Sequence, residues 1–149
     1  MILVVLLVAS LLSLVAQAQN YTLPIRESKG IVYVTLTLNE KPANFMLDTG
    51  ASISVLDYNQ AESYAFGVAG MNGTIVGTGG ASSRYAVNSY RLTIDDTKLG
   101  VMFYAMNADH IFNAHKKAKI VGLLGTQFFK FNNVTIDYAS MTMTINKVK

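Results

Sequence analysis

Residues Phe45 to Ser52 read Phe-Met-Leu-Asp-Thr-Gly-Ala-Ser, three apolar side chains running straight into an acid. No other stretch restricts the fold as much. Such a run suits a strand buried on both faces. The acid that ends it is then a carboxylate held where water is scarce, which is costly unless something shares or solvates the charge. Two carboxylates that meet can share one proton, and the pair can deprotonate a water and protonate a leaving group in one site. The neighbours of Asp48 fit that use. Thr49 supplies a short, stiff hydroxyl that both donates and accepts. Gly50 lets the backbone turn tightly and bring its N–H to the carboxylate, while Ala51 and Ser52 keep the surroundings small. The plainer alternative is a strand-to-turn junction, where Asp, Thr and Gly are all common.

The chain begins with a different kind of segment. Ile2 to Val15 is almost wholly Leu, Val, Ile and Ala, and Ala16-Gln17-Ala18 gives the small-x-small pattern of a signal peptidase site, although no Lys or Arg precedes it. Residues 1–18 therefore read as a signal peptide cleaved after Ala18; retained, they would be a membrane anchor slightly short of a full span. Either way the remainder is exported, periplasmic or extracellular, and residues 19–149 make one domain with a proper core. The chain has no Cys, so an exported domain of this sequence is stabilised by packing and not by disulfides. Its net charge of +3 is scattered except at Lys116-Lys117 and Lys119. A cluster that short is a solvated loop, and no nucleic-acid partner is expected.

Beyond residue 19 the pattern is mostly strands. Ile31 to Leu38 alternates apolar and hydroxyl-bearing residues and is rich in β-branching. Asn39 to Pro42 reads as a turn and Ala43 to Leu47 as the returning arm. Asp57 to Ala65 is the first helix candidate, with Asp57 as its cap. Six glycines, at 67, 70, 73, 77, 79 and 80, mark a long hairpin with arms at Thr74–Val76 and Arg84–Val87. A phosphate loop is excluded there, because no Gly-Lys-Ser/Thr follows and Ser82 stands where a dinucleotide fingerprint needs its third Gly. Tyr90–Asp95 and Gly100–Met106 are further strand candidates. Asn107 to Lys119 reads as an irregular polar loop whose two exposed histidines, His110 and His115, have no ligand spacing, so no metal is expected. Ile120 to Gly125 is a second buried-strand signal, Thr126 reads as a helix cap, and Val134 to Ile145 closes a last hairpin around Ala139-Ser140.

Taken in order, these features resemble the retropepsin-like aspartic proteases, in particular exported bacterial single-domain members. The resemblance rests on Leu47-Asp48-Thr49-Gly50-Ala51-Ser52, a glycine-rich hairpin at Gly77-Thr78-Gly79-Gly80 where the family has its flap, and Leu123-Leu124-Gly125 before a short helix and Thr135-Ile136-Asp137-Tyr138. It implies an all-β, closed barrel lobe with one or two short helices, in which the Asp48 loop packs beside the Leu123-Leu124-Gly125 strand. It implies that Asp48 is half of a catalytic dyad, that Thr49 reaches across to the matching loop of a partner, and that Gly79 and Gly80 lie at or near a flap tip closing over substrate. Viral retropepsins carry Asp where this chain has Ser52 and Arg where it has Thr126, so the ion pair that ties loop to helix there is absent here.

Asp57, Asp95, Asp96, Asp109 and Asp137 are not followed by Thr-Gly or Ser-Gly, so one chain cannot supply two equivalent acid loops. A two-fold homodimer brings Asp48 against its own copy. Either Tyr21–Ile25, Thr142–Ile145 or both would supply the inter-subunit sheet. The expected activity is cofactor-free hydrolysis of an extended peptide or protein substrate by a water between the two carboxylates, with a membrane partner only if residues 1–18 stay attached. The competing expectation is a dimeric peptide-binding or assembly module that keeps the fold without catalysis.

Overall fold

The computed structural model describes residues 20–77 and 80–146; the segment read as a signal peptide lies outside the described residues, as do Thr78 and Gly79, which were expected in a flap. Strands dominate: β1 (Asn20–Ser28), β2 (Ile31–Leu38), β3 (Lys41–Leu47), β4 (Ser54–Asp57), β5 (Gly67–Gly77), β6 (Gly80–Asn88), β7 (Leu92–Ile94), β8 (Thr97–Lys98), β9 (Phe103–Met106), β10 (Ile120–Leu124), β11 (Val134–Asp137) and β12 (Thr142–Asn146). Between them lie three short helices, α1 (Ala61–Tyr64), α2 (Asp109–Phe112) and α3 (Thr126–Phe131), and two 3-10 segments, Tyr58–Gln60 and Asn113–Ala118. Among the described residues the expectation of one or two helices is therefore corrected to three. No described helix is long and apolar enough to cross a membrane.

The sheet runs β11-β12-β1-β2-β3-β10-β4-β9-β6-β5, with β7 attached to β2 and β8 to β7. It is open, not the closed barrel expected from the sequence. The path ends at β11 on one side and at β5 on the other, and among the described residues these ends do not pair. Closure needs every strand to find two neighbours. Here β5 is committed to β6 alone, from Gly67↔Asn88 to Gly77↔Gly80.

Alternation in β2 does what its sequence dictates: Val34, Leu36 and Leu38 are buried, while Thr35 and Thr37 lie on the other face. The turn to β3 is only Asn39-Glu40, both at positive φ (46° and 67°), with Leu38 opposite Lys41. Two left-handed residues suit the twist of a tight hairpin. Asn39 also stitches loops together, donating from Nδ2 to the carbonyls of Tyr64, Ala65 and Ser89 and accepting at Oδ1 from the Arg91 N–H. The terminal strands pair within the chain, Tyr21 opposite Ile145 and Leu23 opposite Met143. The two segments considered for an inter-subunit sheet thus already satisfy one edge of each other.

Strand β10 is the hub. It lies parallel to β3, with Leu123 opposite Met46 and Leu124 opposite Leu47, and antiparallel to β4, with Gly122 opposite Leu56. All five of its residues are buried, the near-continuous apolar run that two-sided burial requires, and so are all four of β4, the polar Ser54 and Asp57 among them. One core packs Phe45, Leu47, Phe103, Leu124 and Phe128 together. On the other face a smaller cluster gathers Val55, Met106, Phe112, Ile120 and Leu123. Met46 is half-buried against that second cluster, so the run before Asp48 does serve both faces.

Asp57 caps as expected, accepting the Asn59 N–H at 3.2 Å, but the helix it opens is a 3-10 turn that passes into α1. The residue is buried. Burial raises its carboxyl above the usual Asp value, opposed by the Asn59 N–H and reinforced by the charge of Asp109. The folded chain therefore holds this proton more tightly than the unfolded chain. Asp57 stabilises the fold below about pH 4, and that contribution is lost as pH rises through the folded value. Asp57→Asn, which keeps a capping oxygen, is expected to flatten this part of the stability curve. Urea midpoints of both proteins across the acidic range check it; parallel curves would contradict it.

Candidate active site

Asp48 follows β3 directly and is half-buried. Its N–H donates to the Leu124 carbonyl at 3.0 Å, fastening the acid loop to β10. Its Oδ1 accepts two backbone donors, Gly50 N–H at 2.9 Å and Ala51 N–H at 3.1 Å. Gly50 makes that approach easy, since a Cβ there would stand only 3.3 Å from the same oxygen. Oδ2 has no hydrogen bond among the described residues, which leaves one oxygen free for chemistry. Thr49 is exposed, and its hydroxyl likewise has no bond among the described residues.

A neutral clasp holds the loop to α3. The Ala51 carbonyl accepts both the Thr126 N–H at 2.8 Å and the Thr126 hydroxyl at 2.6 Å. The Gly125 N–H donates to Ser54 Oγ at 3.1 Å, in a fully buried pair. Thr126 is thus the first residue of the helix and a tether to the acid loop; Gly125 occupies the cap position without a side-chain bond. This corrects the expectation of Thr126 as the cap. Glycine is required at the junction, since a Cβ on Gly125 would lie 2.3 Å from the Ile53 carbonyl oxygen, and one on Gly122 the same distance from that of Val55. Ser52 is exposed, beside Thr126 and Phe131 in a shallow surface depression.

The acid opens into a cleft of about 560 Å³ lined by Asp48, Gly50, Ala51 and Ser52, by the apolar Ile53, Val55, Met106, Ile111 and Leu123, and by the hairpin residues Thr74 to Gly77, Gly80 and Arg84, with His110 at its side. Asp48, its loop and the hairpin arms are thereby brought to one cavity, with Leu123 in its wall. Leu124 instead packs in the main core behind the loop. Asp48 is the single carboxylate lining this cleft among the described residues. Asp137 is exposed and turned to its own hairpin, accepting from the Ala139 and Ser140 N–H groups and the Ser140 hydroxyl; those bonds, the Ser140 hydroxyl foremost, hold its carboxyl below the usual range. No group of three or more His, Cys, Asp or Glu among the described residues is arranged to hold a metal ion.

Sequence reasoning missed Arg84 and His110. His110 sits in α2 and not in an irregular loop; it is exposed beside the cleft. His115 is half-buried in the 3-10 segment, not exposed, and its Nδ1 has no partner among the described residues. Neither histidine belongs to a periodic pattern or motif, so no local signal marked them.

An acid-bearing loop clasped to a buried hub strand, under a long hairpin, defines the architecture of an aspartic protease lobe. The comparisons agree. The family model described as aspartyl protease matches residues 34–128, and the chain belongs to that family. Its fold is similar to that of a retropepsin-like aspartic protease from Rickettsia conorii (TM-score 0.58, 18% identity, covering 87% of this chain and 92% of that one). It is also similar to the retroviral protease-like domain of Ddi1 from Leishmania major (0.55, 17%, 81% and 92%) and to EIAV protease complexed with the inhibitor HBY-793 (0.52, 17%, 70% and 90%). No curated protein matches the chain significantly.

Proposed function

We propose that this protein is an exported aspartic endopeptidase whose catalytic dyad, Asp48 and its symmetry copy, forms across a homodimer. One observation carries the reading: a single carboxylate lines the cleft, with donors on Oδ1 and none on Oδ2 among the described residues. A lone carboxylate cannot be base and acid in the same step. A second copy related by a two-fold axis supplies the missing partner. The exposed Thr49 beside it is free to bond the facing loop.

In the dimer one Asp48 is ionised and takes a proton from a water between the carboxylates. The other is protonated, hydrogen-bonds the scissile carbonyl, and passes its proton on to the leaving nitrogen. Because one carboxylate must be ionised while the other is protonated, an acidic to mildly acidic optimum is expected. The hairpin β5–β6 closes over an extended peptide and excludes water, with main-chain bonds giving affinity and the apolar wall selecting side chains.

The test is the rate of cleavage of an unbiased peptide mixture by the purified protein at several protein concentrations. Activity per chain should climb with concentration and level off as dimer forms, in step with sedimentation. Activity per chain that is flat while the protein is monomeric would overturn the shared dyad. Folded dimer that cleaves nothing would make this a peptide-binding module.

A further inference from the structure

Arg84 is the one cation that the flap hairpin carries into the cleft, and it is held in place. Its Nε donates to Asn72 Oδ1 at 3.1 Å and its Nη2 to the Asn72 carbonyl at 2.9 Å. Its guanidinium also lies 4.6 Å over the Tyr104 ring, a contact that suits this group. Gly73, opposite Arg84 in the strand register, makes the slot: its φ is 144°, and a Cβ there would stand 2.8 Å from Nη2. Among the described residues Nη1 makes no hydrogen bond and no carboxylate forms an ion pair with Arg84. The side chain is half-buried.

A fixed guanidinium without a counter-charge has already lost most of its rotamer freedom. It can therefore bind a carboxylate at little further entropic cost, and a half-buried setting strengthens the bond. The remaining lining is apolar or small apart from Asp48, Ser52, Thr74 and His110. We infer that Arg84 is a specificity-determining residue, selecting peptides that carry a Glu or Asp side chain where the bound strand passes under β6. The inference rests on the cleft being a peptide site. In a two-fold assembly each flap brings its own Arg84, so acidic residues on either side of the scissile bond are read alike.

The test uses octapeptides with an apolar central pair and either Glu or Gln at each flanking position in turn, at mildly acidic pH where Glu is ionised. Hydrolysis is followed with the wild-type protein, Arg84→Gln and Arg84→Lys. Binding is followed by fluorescence anisotropy in the Asp48→Asn background. At one flanking position or its symmetry mate, Glu should beat Gln by about tenfold in kcat/KM, mostly through KM. Arg84→Gln should bring that ratio to about one, Arg84→Lys should restore part of it, and cleavage of the Gln peptide should stay within about twofold throughout.

A Glu preference that survives Arg84→Gln, or no preference at all, overturns the inference while leaving the protease intact. Loss of Gln-peptide cleavage along with the preference overturns it too, reducing Arg84 to a prop for the flap. If nothing is cleaved yet the Asp48→Asn protein binds the Glu peptide through Arg84, hydrolysis fails and acidic recognition stands. Absence of both cleavage and binding sinks both readings.

Discussion

Asp48→Asn should leave the protein folded and lower peptide hydrolysis by at least about a thousandfold. Asparagine has the same shape, and its side-chain oxygen can still accept the Gly50 and Ala51 N–H groups that now hold Oδ1. What it lacks is the ability to take up a proton. In a homodimer the substitution removes both members of the pair at once, so no ionised partner is left to activate water. The fall should appear in kcat, with urea midpoint and sedimentation behaviour unchanged. Hydrolysis that persists in the pure variant would put the base elsewhere in the chain.

Gly125→Ala is expected to damage the fold severely, by about 3 kcal/mol or more. The new methyl would meet the Ile53 carbonyl oxygen at 2.3 Å, the Ala51 carbonyl oxygen at 2.8 Å and the Ile53 carbonyl carbon at 2.8 Å, all of them backbone atoms that cannot swing aside. Relief requires α3 to move from the acid loop, which breaks the Gly125–Ser54 bond and both Thr126–Ala51 bonds. Gly100→Ala is the matched control. Its nearest contact would be Phe131 Cβ at 3.5 Å, ordinary packing, so its cost should stay within about 1 kcal/mol. Urea unfolding of the two variants checks the contrast, and equal midpoints would mean that the junction yields more easily than its geometry implies.

The parts of this molecule legible in the sequence are those set by neighbours in the chain. Strand β2 could be read because its alternation of apolar and hydroxyl residues is a property of eight consecutive positions. The acid loop and the hub strand could be read because two-sided burial leaves a run with no polar side chain, and tight junctions leave glycine. What resisted reading was contact between distant segments. The open sheet depends on which strands find a second neighbour, and nothing within β5 or β11 states that they do not. Thr126 has the composition of a cap. Its tethering role comes from the Ala51 carbonyl, which only the fold brings to it. Arg84 looked like one arm of a hairpin, and only the bulged register that sets it against Gly73 makes it a fixed charge.

The clasp between the acid loop and α3 has one more consequence. The Ala51, Ser54, Gly125 and Thr126 groups that form it contain nothing that gains or loses a proton between the acid and neutral ranges. A carboxylate–guanidinium tie in the same place would let go as its acid was neutralised, and its slackening would be superimposed on any activity curve. Here neither acidification nor added salt acts on the clasp bonds directly. A pH–rate profile would then owe nothing to release of this clasp; Asp57, whose burial raises its carboxyl, is the scaffold acid left to shape it.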